Sequence, residues 1–314
     1  MALPQKRLTL VVKQLLHPEQ PRFISPSLQR IISRGCSVAG GGSFQQSAFH
    51  LFELPTEQPL PVAAVSGLAE ELKTEKDYWL CADPVTLYVD HQSVFFLGDH
   101  DLGLSDIECE GLCNRLNKFL AEENLSLCFT NSRRWYLRCE KPARLITSAP
   151  EECIGKDIKD YLPKGSDQQR WRTLFTEIQM LLYADPVNEA RRAQGSAEAN
   201  ALWFWGGGHI PTARPMTWTK VWSQDLLIRG LCLLTGAKAE DPNQSILNTI
   251  SDLEMAGKYL LVLDRDDLND WEPQCFQLLL QALKRKQLTE LRLILGDGFV
   301  HTVKSSQVKR WFNW

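Results

Sequence analysis

Two short runs near the C-terminus, the wholly apolar Tyr259–Leu263 and Leu291–Leu295, which is apolar but for Arg292, constrain the fold of this chain more than any other feature. Successive residues of a strand point to opposite faces, so a run that is apolar throughout must be covered on both sides. Helical spacing over about Ser223–Thr235, Gln244–Ala256 and Glu272–Lys286 supplies segments that could do the covering. This alternation of helices with apolar strands predicts a parallel sheet with helices on both faces.

The middle of the chain reads differently. Val62–Lys73 has the spacing of a short helix, and Thr86–Val89 and Ser93–Leu97 are strand-like runs joined by Asp90-His91-Gln92 as a hairpin. Ser105 is placed as the N-cap of a helix running to about Glu123, with Glu108 completing a capping box. Leu127–Thr130, Trp135–Cys139 and Arg144–Thr147 are three further strand candidates, followed by an amphipathic helix over Asp167–Ala184. The expected organisation is an α/β core from residues 1–74 and 186–314, interrupted by an inserted α+β unit at 75–185. The apolar start Leu8–Leu16 gives way to Pro-rich and Gly-rich punctuation, and Ser37–Ser43, with Gly40-Gly41-Gly42, reads as a loop. No Lys-Ser/Thr follows those glycines, as a phosphate-binding loop would require.

A formal net charge of −3 gives nucleic acid and anionic membranes no electrostatic purchase, and neither is expected as a partner. Nine scattered cysteines suit free thiols in a reducing compartment. No window approaches the ~20 apolar residues of a membrane span, and Met1–Gln14 lacks the pattern of a signal peptide, so the expected location is cytoplasmic.

The segment richest in candidate site residues begins Asp185-Pro186-Val187-Asn188-Glu189-Ala190-Arg191-Arg192. Gly195 follows, and then Ala199-Asn200-Ala201-Leu202-Trp203-Phe204-Trp205-Gly206-Gly207-Gly208. It joins Asn and Arg side chains to an apolar strand with a glycine-rich end, the kind of place where α/β sheets bind ligands. Asn188, Arg191, Asn200 and Arg214 are the candidate ligand-binding residues, a clamp for phosphate or carboxylate, against the alternative of a helix end laced with surface charge. His209, directly after the glycines, is the imidazole best placed for acid–base work, though a solvated or structural histidine would look the same. Trp203 and Trp205 suit burial against a helix or stacking on a ligand.

These residues resemble the archaeal-type cofactor-independent phosphoglycerate mutases in their Pro-x-Asn, following Arg, Gly, Ala-Asn and Trp-x-Trp-Gly-x-Gly. The resemblance extends upstream through Gly155-Lys156-Asp157-Ile158 and Leu162-Pro163-Lys164-Gly165, and downstream to Asp225-Leu226 and Arg229-Gly230-Leu231. Tyr78-Trp79-Leu80-Cys81-Ala82-Asp83-Pro84-Val85, Glu177–Leu182 and Trp205–Gly208 also resemble a smaller bacterial family of phosphoglycerate-mutase-like, RpfE-type regulatory proteins. The resemblance implies an α/β fold, a trimmed alkaline-phosphatase-superfamily-like sheet. It also implies two divalent metals, Mg or Mn, held by Asp and His beside a Ser that accepts phosphate.

The chain departs from that pattern where the metals would bind. No Asp precedes Asp77, so the ligand expected after the first strand has no candidate. Asp264-Arg265-Asp266-Asp267 stands where the mutases have Asp-Glu-x-Gly-His, but no His follows. After the last apolar strand stands Gly296-Asp297-Gly298, with His301 displaced along the chain. Asp264, Asp266 and Asp297 are the candidate metal ligands, and caps and turns are the competing use of such residues. Cys109 and Cys113, one helical turn apart with His100 nearby, invite a zinc reading but lack the second Cys pair. The tail from Lys304 to Trp314 mixes basic and aromatic residues and suits a terminal helix docked on the core.

Three functions follow. One is a degenerate mutase-like protein, non-catalytic or regulatory, with a residual anion pocket and a protein partner or small phosphorylated acid as ligand. The alternative is a metal-dependent mutase or phosphotransferase acting on such an acid, and a protein-interaction module is a third possibility.

Overall fold

The computed structural model describes residues 5–16, 25–40, 42–74, 76–100, 102–216, 218–242, 253, 256–265 and 272–308. The chain enters on β1 (Lys6–Val12), α1 (Pro26–Arg34), β2 (Cys36–Ala39) and α2 (Phe44–Leu51). There follow α3 (Val62–Ala69), β3 (Tyr78–Val89), β4 (Val94–Gly98), α4 (Asp106–Leu120), β5 (Leu125–Phe129), β6 (Trp135–Cys139), α5 (Pro150–Cys153), α6 (Gln168–Tyr183), α7 (Pro186–Ala193) and β7 (Ala201–Gly208). It continues with β8 (Lys220–Trp222), α8 (Leu226–Thr235), β9 (Ala239–Glu240), β10 (Gly257–Leu263), α9 (Glu272–Lys284), β11 (Glu290–Ile294), β12 (Phe299–Lys304) and α10 (Ser305–Val308).

The chain divides into two compact units, one made of Met1–Thr56 with Ala213–Trp314, the other of Glu57–Thr212. The first holds a seven-stranded sheet in the order β2-β12-β11-β1-β10-β8-β9. The five strands from β11 to β9 are parallel, and β12 and β2 add an antiparallel edge. β1 lies between β10 and β11, which is why Leu8–Val12 are all buried. Leu8, Leu10 and Val12 join Tyr259, Leu261, Leu263, Leu291 and Leu293 in one cluster with Leu28 and Ile31 of α1 and Phe276, Leu279 and Leu283 of α9. The apolar runs therefore form the centre of a parallel sheet, as their composition requires. Ser37–Ala39, read from sequence as loop, belong to β2 at the sheet edge. The helix expected near Gln244–Ala256, apart from Leu253 and Ala256, and the aromatic tail from Lys309 onward lie outside the described residues.

The second unit is built on a sheet in the order β4-β3-β6-β5, with β7 antiparallel to β3. It is wider than the expected insert at 75–185, for two reasons. α3 packs on β3 and β7, and β7 pairs with β3 over Trp79–Val85, so the Leu202–Trp205 strand assigned from sequence to the outer α/β layer belongs here. β3 also begins at Tyr78, upstream of the expected Thr86, because Pro84 does not end it. Pairing with β6 stops at Cys81, so the missing N–H of Pro84 costs no rung of that ladder. The Ser105–Glu108 capping box and the helix after it form as expected. Arg144–Thr147 makes no strand and contributes one bridge, from Ile146 to Lys164.

Candidate functional site

In the first unit the natural place for chemistry is the C-terminal edge of the parallel strands. Lys13 follows β1, and its N–H donates to the Leu263 carbonyl at 3.1 Å, which holds it beside Asp264 at the end of β10. The ammonium lies 2.9 Å from Asp264 Oδ1 and is also ion-paired with Asp225 Oδ2. Asp225 is the N-cap of α8: its Oδ1 accepts from Ile228 N at 3.1 Å, and its own N–H donates to Ser223 Oγ at 3.0 Å. The Phe44 ring, at the first position of α2, lies 4.7 Å from Lys13 Nζ. Burial works to lower the Lys13 pKa, but the two carboxylates outweigh it and raise it above the ordinary value, so the side chain is charged.

The other late carboxylate is engaged locally. Asp297 Oδ1 accepts from Phe299 N at 3.1 Å, and Oδ2 lies 2.8 Å from His301 Nε2. His301 Nδ1 in turn lies 2.7 Å from Ser37 Oγ across the β12–β2 pair. Asp297 and the displaced His301 thus satisfy each other. Asp266 lies outside the described residues. Among the described residues no group of three or more His, Cys, Asp or Glu side chains is arranged to hold a metal ion.

In the second unit the residues singled out from the 185–208 segment are brought together, but their polar atoms face the main chain. Asn188 is fully buried; Nδ2 donates to Leu182 O at 2.8 Å and Ala199 O at 2.9 Å, while Oδ1 accepts from Ala199 N at 3.2 Å. Asn200 grips both main-chain groups of Leu87, with Oδ1 accepting from its N–H at 2.7 Å and Nδ2 donating to its carbonyl at 2.8 Å. Arg191 donates to Ala197 O at 2.6 Å, to Leu102 O, and to Glu108 Oε1 at 2.8 Å. Although burial opposes the Glu108 charge, the Ser105 N–H and the Arg191 guanidinium hold its carboxyl below the usual range. At the positions expected to form an anion clamp, these side chains are already bonded within the protein. Asn188 is out of a ligand's reach, and Arg191 and Asn200 tie α7 and the start of β7 to α4 and β3. Arg214 is an exposed residue of the first unit.

His209 is exposed, with Nδ1 3.1 Å from Asp77 O and its ring edge-on to Tyr78, so no nucleophile or carboxylate activates it in the described contacts. Trp203 and Trp205 are buried, their indole N–H groups donating to Ser148 O at 2.9 Å and Asp83 Oδ2 at 2.7 Å. The glycines after them serve packing: a Cβ on Gly207 would come within 2.6 Å of Tyr78 Oη and Leu80 Cδ2. Burial pushes the thiols of Cys109 and Cys113 up to about 11, and Cys113 donates to Leu127 O at 3.3 Å, so they are protonated core residues.

Sequence reading missed two groups. Lys13 was visible only as the residue that breaks the first apolar run, although a charge directly after a buried strand signals a strand-end position. Asp83 stood within the Tyr78–Val85 stretch that carries a resemblance, but nothing in the sequence gave its side chain a role. It is buried on β3 within 3.8 Å of the Arg134 guanidinium, and its Oδ1 accepts from Trp135 N at 3.3 Å. Burial raises its pKa to about 6, with Arg134 and the Trp205 indole pulling the other way.

No protein-family model matches the sequence. The chain is similar to 2,3-bisphosphoglycerate-independent phosphoglycerate mutases. It is 30% identical over 116 residues to that of Methanosarcina mazei, covering 36% of this chain and 29% of the relative. It is 31% identical over 120 residues to that of Methanosarcina barkeri, covering 37% of this chain and 30% of the relative. To the enzyme of Methanothrix thermoacetophila it is 34% identical over 67 residues, or 21% and 17% of the two lengths. The matched segments thus span less than a third of these relatives. The fold is that of the solved PH0037 protein from Pyrococcus horikoshii, with a TM-score of 0.53 at 15% identity over 96% of this chain and 87% of that one. No helix among the described residues is long and apolar enough to cross a membrane.

Among the described residues, the side chains at the strand ends do not fit the metal pair implied by the mutase resemblance. The end of β1 offers an ammonium in place of a carboxylate, and Asp297 is engaged with His301.

Proposed function

We propose that this chain is a phosphoglycerate-mutase-like protein that keeps the mutase scaffold segment as architecture and does not turn over phosphoglycerate, acting instead as a regulatory protein. One observation carries the reading. The Asn188, Arg191 and Asn200 side chains that carry the resemblance are bonded to main chain and to Glu108, leaving none of them to grip a substrate anion. A residual anion pocket at these residues would require breaking a buried network, which is strongly unfavourable.

The test is the melting temperature of the full chain with millimolar 3-phosphoglycerate, in Mg²⁺ or Mn²⁺ and again in EDTA. A ligand present at about 100 times its dissociation constant adds roughly 2.7 kcal/mol, a shift of several degrees. No shift is expected under any of these conditions. A metal-dependent shift would contradict the reading and favour the phosphotransferase alternative; a metal-independent one would restore an anion pocket without turnover.

A further inference from the structure

The ion-paired lysine at the strand ends has a consequence that can be tested apart from turnover. Three elements converge on its ammonium: β10 through Asp264, α8 through Asp225 and α2 through the Phe44 ring. We propose that the Lys13 ammonium is a built-in cation standing where a divalent metal ion would otherwise bind between Asp225 and Asp264, so that removing this side chain opens a divalent-cation site. The inference rests on the reading of the chain as a mutase-like scaffold without turnover, and adds how the strand-end charge is balanced.

The placement of the three side chains is set by the backbone rather than by chance surface pairing. Val12 is paired in register with Leu263, so the next residues of the two parallel strands, Lys13 and Asp264, emerge side by side. Asp225 is pinned as a helix cap through Oδ1, which leaves Oδ2 for the ammonium. Lys13 and Asp225 are mostly shielded, with 23% and 15% of their side chains exposed, while Asp264 opens to solvent. Two carboxylates at one place need a cation, and in a shielded position the need is stronger than at the surface.

The third neighbour decides which cation. An aromatic face attracts an ammonium, whereas Mg²⁺ or Mn²⁺ prefers oxygen ligands in octahedral geometry, which a ring does not supply. Among the described neighbours of Lys13, the two carboxylates and the ring suit an ammonium better than a bound dication. With the lysine shortened, the two carboxylates remain near a solvent-open side, where water can supply the missing oxygens.

Calorimetric titration of the full chain with MnCl₂ tests this. Lys13→Ala should bind one equivalent of Mn²⁺ at least tenfold more tightly than the unsubstituted chain, and Lys13→Ala/Asp264→Asn should lose that site. A folded Lys13→Ala chain that gains no ion would overturn the proposal. So would an unsubstituted chain that binds one Mn²⁺ in a manner abolished by Asp264→Asn. If Lys13→Ala does not fold, recovery of its near-ultraviolet circular dichroism on adding Mn²⁺ or Mg²⁺ supports the proposal, and failure to recover counts against it. Phosphoglycerate turnover without an ion at this pair would contradict the functional reading alone, and an ion at the pair in the unsubstituted chain without turnover would contradict this inference alone.

Discussion

Asn188 shows at the scale of one residue how a motif can look like a binding site and act as a brace. Its amide closes three hydrogen bonds inside the core, linking the end of α6 to the segment entering β7. Replacing it with Ala leaves the Ala199 carbonyl and N–H buried without that partner, each costing about 1–3 kcal/mol less whatever water can recover, while the Leu182 carbonyl keeps the Asp185 N–H at 3.2 Å. Asn188→Ala should therefore lower stability by about 3 kcal/mol in urea unfolding. A loss under about 1 kcal/mol would mean that the side chain is not the brace described. The sequence made these residues recognisable as a constellation but did not reveal their partners. Those partners are main-chain groups at Leu182, Ala199, Leu87 and Leu102, and a backbone carbonyl has no residue-type signature. Lys13 was overlooked for the opposite reason, since its partners are acidic side chains more than two hundred residues away in the chain.

At the scale of elements, the second unit depends on β3, which pairs with β4, β6 and β7. Asp83 ties three of these strands together, accepting from Trp135 N on β6 and from the Trp205 indole on β7. Its pKa is raised by burial from 3.8 to about 6, so the folded state binds this proton more tightly than the unfolded chain does. Stability from this group is accordingly greatest at low pH and is lost as pH rises from about 4 to about 6, by up to about 3 kcal/mol. Asp83→Asn should remove that component, so the difference in unfolding free energy between the two chains should change across this window and be constant above it. A difference independent of pH would show that Asp83 is ionised throughout. The periodicity of the chain made the β3–β4 hairpin, the α4 capping box and the α6 amphipathic face legible. It did not reveal that β3 continues through Pro84 or that β7 pairs with it, because both depend on where a neighbouring ladder ends.

For the whole molecule, two compact units coexist with partial similarity to phosphoglycerate mutases and a fold shared with the Pyrococcus protein. The parallel sheet was legible because strands buried on both faces are apolar along most of their length. The state of its strand ends was not, because a carboxylate in a sequence does not disclose whether it meets a metal, a lysine or a helix terminus. Here Asp225 and Asp264 meet Lys13, and Asp297 meets His301. A scaffold can be kept while its chemistry is replaced, and fold similarity alone does not carry activity. The most direct test is phosphorus NMR of 3-phosphoglycerate incubated with the purified full chain and Mn²⁺, followed until an authentic mutase reaches equilibrium. The account predicts that the 3-phosphoglycerate signal persists without a 2-phosphoglycerate signal; conversion by this chain, abolished by Asp225→Asn or Asp264→Asn, would contradict it.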